Sequence, residues 1–138
     1  MRARLAAVLP ALVLLAACLD HSTTPSVAMG SEFLLKPAEA VQLSGTGATL
    51  RFEAVAADSR CPADALCITA GDATAVFTLT RAGASTNLSL HTAADGRRST
   101  VEDLTLTLLR LDPYPYAARP VAPPDYRASL RVDPAFSN

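Results

Sequence analysis

Apolar and polar residues alternate with a period of two over most of the chain, in short runs divided by glycine, proline and aspartate, the pattern of half-buried strands. Glu32 to Lys36 is the first candidate strand, stopped by Pro37. Ala40 to Leu43 follows and ends at Ser44-Gly45-Thr46-Gly47, a turn by composition. From Ala48 to Ala56, Leu50, Phe52 and Ala54 share one face, and Arg51 and Glu53 the other. Leading out from Ala73, Ala75, Phe77 and Leu79 alternate with Val76, Thr78 and Thr80, whose β-branched side chains suit a half-exposed pleated surface. Gly83 turns the chain, Asn87 to Thr92 places Leu88 and Leu90 inward, and Asp95-Gly96 marks another turn. Val101 to Leu111 is the longest run. Its Leu104, Leu106 and Leu108 point one way before Leu109 and Leu111 switch parity, which predicts a bulge or a strand buried on both faces. In the last run Tyr126, Ala128, Leu130 and Val132 alternate with Arg127, Ser129, Arg131 and Asp133.

Between these last two runs, Asp112 to Asp125 holds Pro113, Pro115, Pro120, Pro123 and Pro124 beside Tyr114 and Tyr116. A sheet ladder does not tolerate so many missing donors, so this is an irregular excursion with polyproline character. No helix and no internal repeat is visible after Cys18. Six or seven short antiparallel strands in about 100 residues predict an all-β fold, a small antiparallel β-sandwich of immunoglobulin-like architecture, with a small β-barrel as the alternative. The likeness to immunoglobulin domains is one of architecture, because the chain has no tryptophan and its paired cysteines are close in sequence.

The N-terminus follows different rules. Arg2 and Arg4 precede an apolar stretch from Leu5 to Leu15, too short for a span of roughly 20 residues. It ends in Leu15-Ala16-Ala17-Cys18, which resembles the lipobox of bacterial lipoproteins. That resemblance implies that residues 1–17 are a cleaved signal peptide and that Cys18 carries the lipid. Each buried methylene contributes about 0.8 kcal/mol, so two or three acyl chains hold such a protein on a membrane. Leu19, where an inner-membrane lipoprotein of many Gram-negative bacteria has aspartate, points by the same analogy to the outer membrane, facing the periplasm or the cell surface. Residues 18–31, small and polar, read as the lipidated N-terminus and a flexible tether, with His21 solvated. A single sandwich domain is expected over 32–133, with a tail at 134–138.

Removing Arg2 and Arg4 from 12 basic and 13 acidic residues leaves 10 against 13, a net charge of −3. Nucleic-acid binding needs clustered positive charge and is not expected. The expected partners are the membrane, through the lipid, and an envelope or extracellular protein. With Cys18 lipidated, Cys61 and Cys67 remain as a pair in an oxidising compartment, where a disulfide is expected rather than a zinc site.

The stretch around that pair carries a second resemblance. Phe52, Asp58-Ser59-Arg60-Cys61-Pro62, Cys67 and Ala70-Gly71, followed by Ala73, are similar to a group of uncharacterised small bacterial lipoproteins, and the proline-rich segment leading to Tyr126–Val132 fits the same pattern. Thr69 stands where that group has an aromatic residue, usually tryptophan. The resemblance implies fold and compartment and supplies no mechanism.

Candidate chemistry is sparse. Asp58, Asp64 and Asp72 in the cystine loop have the oxygen ligands of a calcium site but no EF-hand spacing; in the alternative reading Asp58 and Asp72 bond loop amides as turn aspartates do, with Arg60 paired to one of them. Ser89, His91 and Asp95 lack the nucleophile elbow of a hydrolase, and neighbouring positions on one strand do not converge on a substrate. No enzymatic activity and no cofactor is expected. Tyr114 and Tyr116, presented on a semi-rigid proline segment, are the best binding candidates, with Arg60 beside them; their alternative role is to cover one end of the sandwich.

Overall fold

The computed structural model describes residues 23–135, so the expected signal peptide, Cys18 and the last three residues lie outside the described part. Among the described residues there are nine strands: β1 (Ser26–Val27), β2 (Glu32–Leu35), β3 (Ala40–Leu43), β4 (Ala48–Asp58), β5 (Ala73–Arg81), β6 (Ala84–His91), β7 (Arg98–Val101), β8 (Leu104–Asp112) and β9 (Arg127–Pro134). They form two sheets, ordered β1-β3-β4-β5-β6 and β2-β9-β8-β7, packed as a sandwich. All pairings are antiparallel except β1 with β3.

The core is the set of inward positions that alternation selects. Val41, Leu43, Leu50, Phe52, Phe77, Leu79, Leu88 and Leu90 from one sheet face Leu35, Leu104, Leu106, Leu108, Leu111, Leu130 and Val132 from the other. Phe52 and Phe77 are register partners and stack with ring centroids 4.9 Å apart. Each fully buried side chain of this kind contributes about 1.5–3 kcal/mol over its exposed state. No buried side-chain nitrogen or oxygen among the described residues lacks a hydrogen-bond partner.

The structure departs from the periodicity at four places. The expected tether does not stay free to residue 31: Ser26 and Val27 pair with Gln42 and Leu43, Val27 and Met29 pack on the core, and the Gly30 N–H donates to Val132 O at 2.8 Å. The long run 101–111 is a hairpin, because Glu102 takes a left-handed conformation (φ 54°) and reverses the chain into β8. β7, Arg-Ser-Thr-Val, has no apolar alternation to reveal it. In β4, register shifts between Phe52 and Ala54 and between Val55 and Ala57 turn Ala54 outward and bring Val55 onto the core. The parity switch in β8, by contrast, is the bulge that the pattern offered as one reading, a register shift between Leu108 and Arg110 that returns Leu111 to the interior.

The strands give the sandwich two unlike ends. At one, the turn end, the connections Ser44–Gly47, Ala82–Gly83 and Glu102–Asp103 are tight; Ala82 and Gly83 both have positive φ (48° and 82°), the hairpin geometry that matches strand twist. At the other, the loop end, residues 59–72 and 113–126 emerge, together with the crossover from β6 to β7 through a 3-10 turn at Ala94–Gly96.

Candidate functional site

Two register partners, Asp58 and Ala73, open the cystine loop, and its first residues continue the ladder. The Ser59 N–H donates to Asp72 O at 2.7 Å and the Cys61 N–H to Ala70 O at 2.8 Å. This close approach is why glycine stands at 71. Gly71 has φ +69°, and a Cβ there would lie 1.8 Å from Ser59 O. Beyond that neck the loop is closed by a disulfide between Cys61 and Cys67, with Cα atoms 5.9 Å apart.

Arg60 is the hub of the loop end. Its side chain is buried, and its guanidinium grips Asp58 with two parallel bonds, Nε to Oδ1 at 2.9 Å and Nη2 to Oδ2 at 2.6 Å. Its Nη1 donates to Leu111 O at 2.6 Å and its Nη2 to Pro113 O at 3.0 Å. Tyr126 donates its hydroxyl to Asp58 Oδ2 at 3.0 Å, and the Tyr114 ring lies 5.0 Å from the guanidinium carbon. One ion pair therefore ties the cystine loop to the end of β8, to the proline-rich segment and to the start of β9. Burial opposes ionisation of Asp58, but the bonds from Arg60 and Tyr126 outweigh it and hold the carboxyl below its ordinary value. Burial likewise works against the charge on Arg60, and Asp58 reverses the direction, raising its pKa. The Tyr126 phenol is pushed up to about 12, first by burial and then by its bond to Asp58.

The other two aspartates serve other partners. Asp64 accepts from the Ala117 N–H at 2.8 Å, and the Ala63 N–H donates to Pro115 O at 2.9 Å, so the cystine loop and the proline-rich segment are bound along their lengths. Asp72 accepts at Oδ1 from Thr92 Oγ1 and from the Ala93 N–H, both at 2.9 Å, and at Oδ2 meets His91 Nδ1 at 2.6 Å. Burial opposes, and these bonds produce, a pKa lowered to about 2. Asp58, Asp64 and Asp72 thus point to three separate sets of partners. No group of three or more His, Cys, Asp or Glu side chains placed to hold a metal ion occurs among the described residues. His91 pairs with Asp72, not with Asp95, and its ring also lies 3.4 Å from Thr74 Oγ1.

What the loop end offers to solvent is apolar and aromatic. Leu66 and Ile68, flanking Cys67, are fully exposed, and Tyr114 and Tyr116 are about half exposed at 49% and 45%. The Arg119 guanidinium carbon sits 5.4 Å from the Tyr116 ring, and the Arg119 N–H donates to Tyr116 O at 3.0 Å. The two tyrosines do stand where sequence places them, on the proline-rich segment. Arg60 does not stand free beside them; its donors are spent on holding the loops. Leu66 and Ile68 were not among the sequence candidates, although they are the two large apolar residues in an otherwise small and polar loop, which is the signal that marks them. No family model, curated protein or solved structure matches the chain.

Proposed function

We propose that this chain is a lipid-anchored, non-catalytic binding module of the bacterial cell envelope, held to the membrane through Cys18 and binding a protein partner with its loop end. The observation that carries the reading is the pairing of rigidity with exposure. Leu66, Ile68, Tyr114 and Tyr116 are presented to solvent on two loops that Arg60 and Asp64 lock together, the first of them also closed by the cystine. Apolar and aromatic side chains on a pre-ordered support lose little freedom on binding, the economy that hot-spot residues rely on. The lipobox-like Leu15-Ala16-Ala17-Cys18 supports the anchor, and Leu19 in place of aspartate supports the outer membrane. Geometry supports the orientation: residue 26 joins the sheet beside Gln42, near the turn end, so an anchor at Cys18 would leave the loop end as the far end. Six residues lie between Cys18 and Pro25, so the seven steps from one to the other reach about 25 Å at full extension.

The test is capture from detergent-solubilised envelope by the mature domain tethered through its N-terminus. Tyr114→Ala/Tyr116→Ala and Leu66→Ser/Ile68→Ser variants run alongside. The expected result is one partner held by the parent and lost by both variants at unchanged thermal stability. Equal capture by all three, or by none, removes the proposal. Mass spectrometry of the mature N-terminus tests the anchor: an unmodified Cys18 would overturn it. The calcium reading has no comparable observation behind it, since its three carboxylates diverge.

A further inference from the structure

A groove of about 600 Å³ lies at the loop end between the two sheets, within the usual size range of small-ligand sites. One wall is the end of β8; the other is formed by Ala70 and Gly71 of the cystine loop and by Thr92 to Ala94 of the crossover, with Tyr114 also lining it. Two features give it chemical character.

The first is Leu109. It is the extra residue of the β8 bulge, and it is half-buried in the groove while Leu108 and Leu111 on either side belong to the core. Bulges re-aim side chains in this way next to binding sites. The second is Arg97. The other guanidinium groups in the groove are neutralised: Arg60 by Asp58, and Arg110 by Asp112. Arg97 gives only its Nε, to Thr92 O at 2.7 Å, and its two terminal nitrogens have no partner among the described residues. An adjoining trough of about 610 Å³, with Asp95 and Arg98 on it, shares Ala94, Arg97, Leu108 and Leu109 with the groove, so Arg97 stands where the two meet.

We propose that this groove binds an anionic amphiphile, with a carboxylate or phosphate head on the terminal nitrogens of Arg97 and an apolar body along Leu109 towards Tyr114. A planar fork of two donors matches the two oxygens of such a head. The apolar body would cover surface that the bulge leaves outside the core. This goes beyond the partner reading above and is independent of it, since it requires neither lipidation nor an envelope protein.

The experiment is calorimetric titration of the mature chain carrying Cys18→Ser, so that no attached lipid competes. The probes are dodecanoate, dodecyl phosphate and dodecyltrimethylammonium, each below its micelle concentration. One of the two anions is expected to bind saturably at one site, at least tenfold more tightly than the cationic amphiphile; whichever anion leads assigns the head as carboxylate or phosphate. Arg97→Gln and Leu109→Ser should each weaken binding at least tenfold, while Arg51→Gln, on an exposed position of β4, leaves it unchanged. Arg97 is exposed, so its variant should melt with the parent and a loss of binding would not be a loss of fold. Equal binding of anion and cation, unsaturable binding, or an Arg97→Gln variant that binds like the parent would each overturn the proposal.

Discussion

The two ends of the sandwich are built on opposite plans. At the turn end, β5 passes to β6 through Ala82 and Gly83 and β7 to β8 through Glu102 and Asp103, whose exposed carboxylates meet Arg81 across the two turns. At the loop end, two excursions of fourteen residues each, 59–72 and 113–126, would be mobile by length alone. They are ordered by a buried ion pair, a cystine and a carboxylate-to-amide bond between the loops. Rigidity at the turn end follows mainly from backbone geometry, because the exposed Arg81 pairs that cross it are of a kind that contributes little. At the loop end it is long-range, reaching from Arg60 to Leu111 and Pro113 and from Asp58 to Tyr126. A chain that specifies order twice, by two different means, spends its more demanding chemistry where surface must be held in shape.

The contrast is sharpest in its arginines. Arg60→Ala leaves the carboxylate of Asp58 buried without its counter-ion, and removing one partner of such a pair costs about 3–5 kcal/mol. For a domain of this size each kcal/mol lowers Tm by roughly 4–8 °C, so calorimetry should find the variant largely unfolded at temperatures the parent survives. Arg51→Ala, which breaks the exposed pair with Glu53, should stay within about 1 kcal/mol of the parent. Similar losses from the two variants would mean that Arg60 does not hold the loop end.

Glycines repeat the comparison at lower amplitude. Both Gly71 and Gly83 have positive φ, but a Cβ at 83 meets nothing within 4 Å. Gly83→Ala should therefore cost about 1 kcal/mol, the conformational penalty alone. Gly71→Ala adds the clash with Ser59 O and should cost at least about 2 kcal/mol. Urea midpoints decide it, and equal costs would show that the neck can open.

Reduction of the cystine, or a Cys61→Ser/Cys67→Ser chain, should lower stability by roughly 2 kcal/mol, the chain-entropy value for so short a ring. Protease digestion should then cut first within 62–66, while sites at the turn end stay protected.

The smallest effect is a pH dependence. The Asp72 carboxyl is held at about 2 against an ordinary 3.8, so its bonds contribute fully above about pH 5 and are lost as pH falls through 4 towards 2. The stability difference between the parent and Asp72→Asn should shrink over that interval. A difference as large at pH 2.5 as at pH 6 would rule out the carboxylate as its source.

Much of the architecture was legible in the alternation, because burial on one face imposes period two. Leu88 and Leu90, the alternate positions Tyr126, Ala128, Leu130 and Val132, and Leu111 after the parity switch are all buried where the pattern puts them, although Ser129, read as outward, is buried as well. The misses share one cause. Ala54 and Val55 exchange faces through register shifts, and Glu102 reverses the chain in a left-handed conformation; neither leaves a mark on hydrophobicity. β1 and β7 are held by partners distant in sequence rather than by their own composition. At the site, the cysteines and Tyr114 and Tyr116 were readable as residue types. The commitment of Arg60 to carbonyls more than fifty residues away was not, because no spacing rule connects them.

The join between Gly30 and Val132, beside β1, has one more consequence. It puts the entry and exit of the sandwich at the same end, opposite the clamped loops. A pull between that foot and the loop end runs along the strands and across ladder bonds that lie perpendicular to them, so many bonds share the load at once. Stretched in that direction the domain resists as a strap in shear; peeled from β1 it would give way one bond at a time.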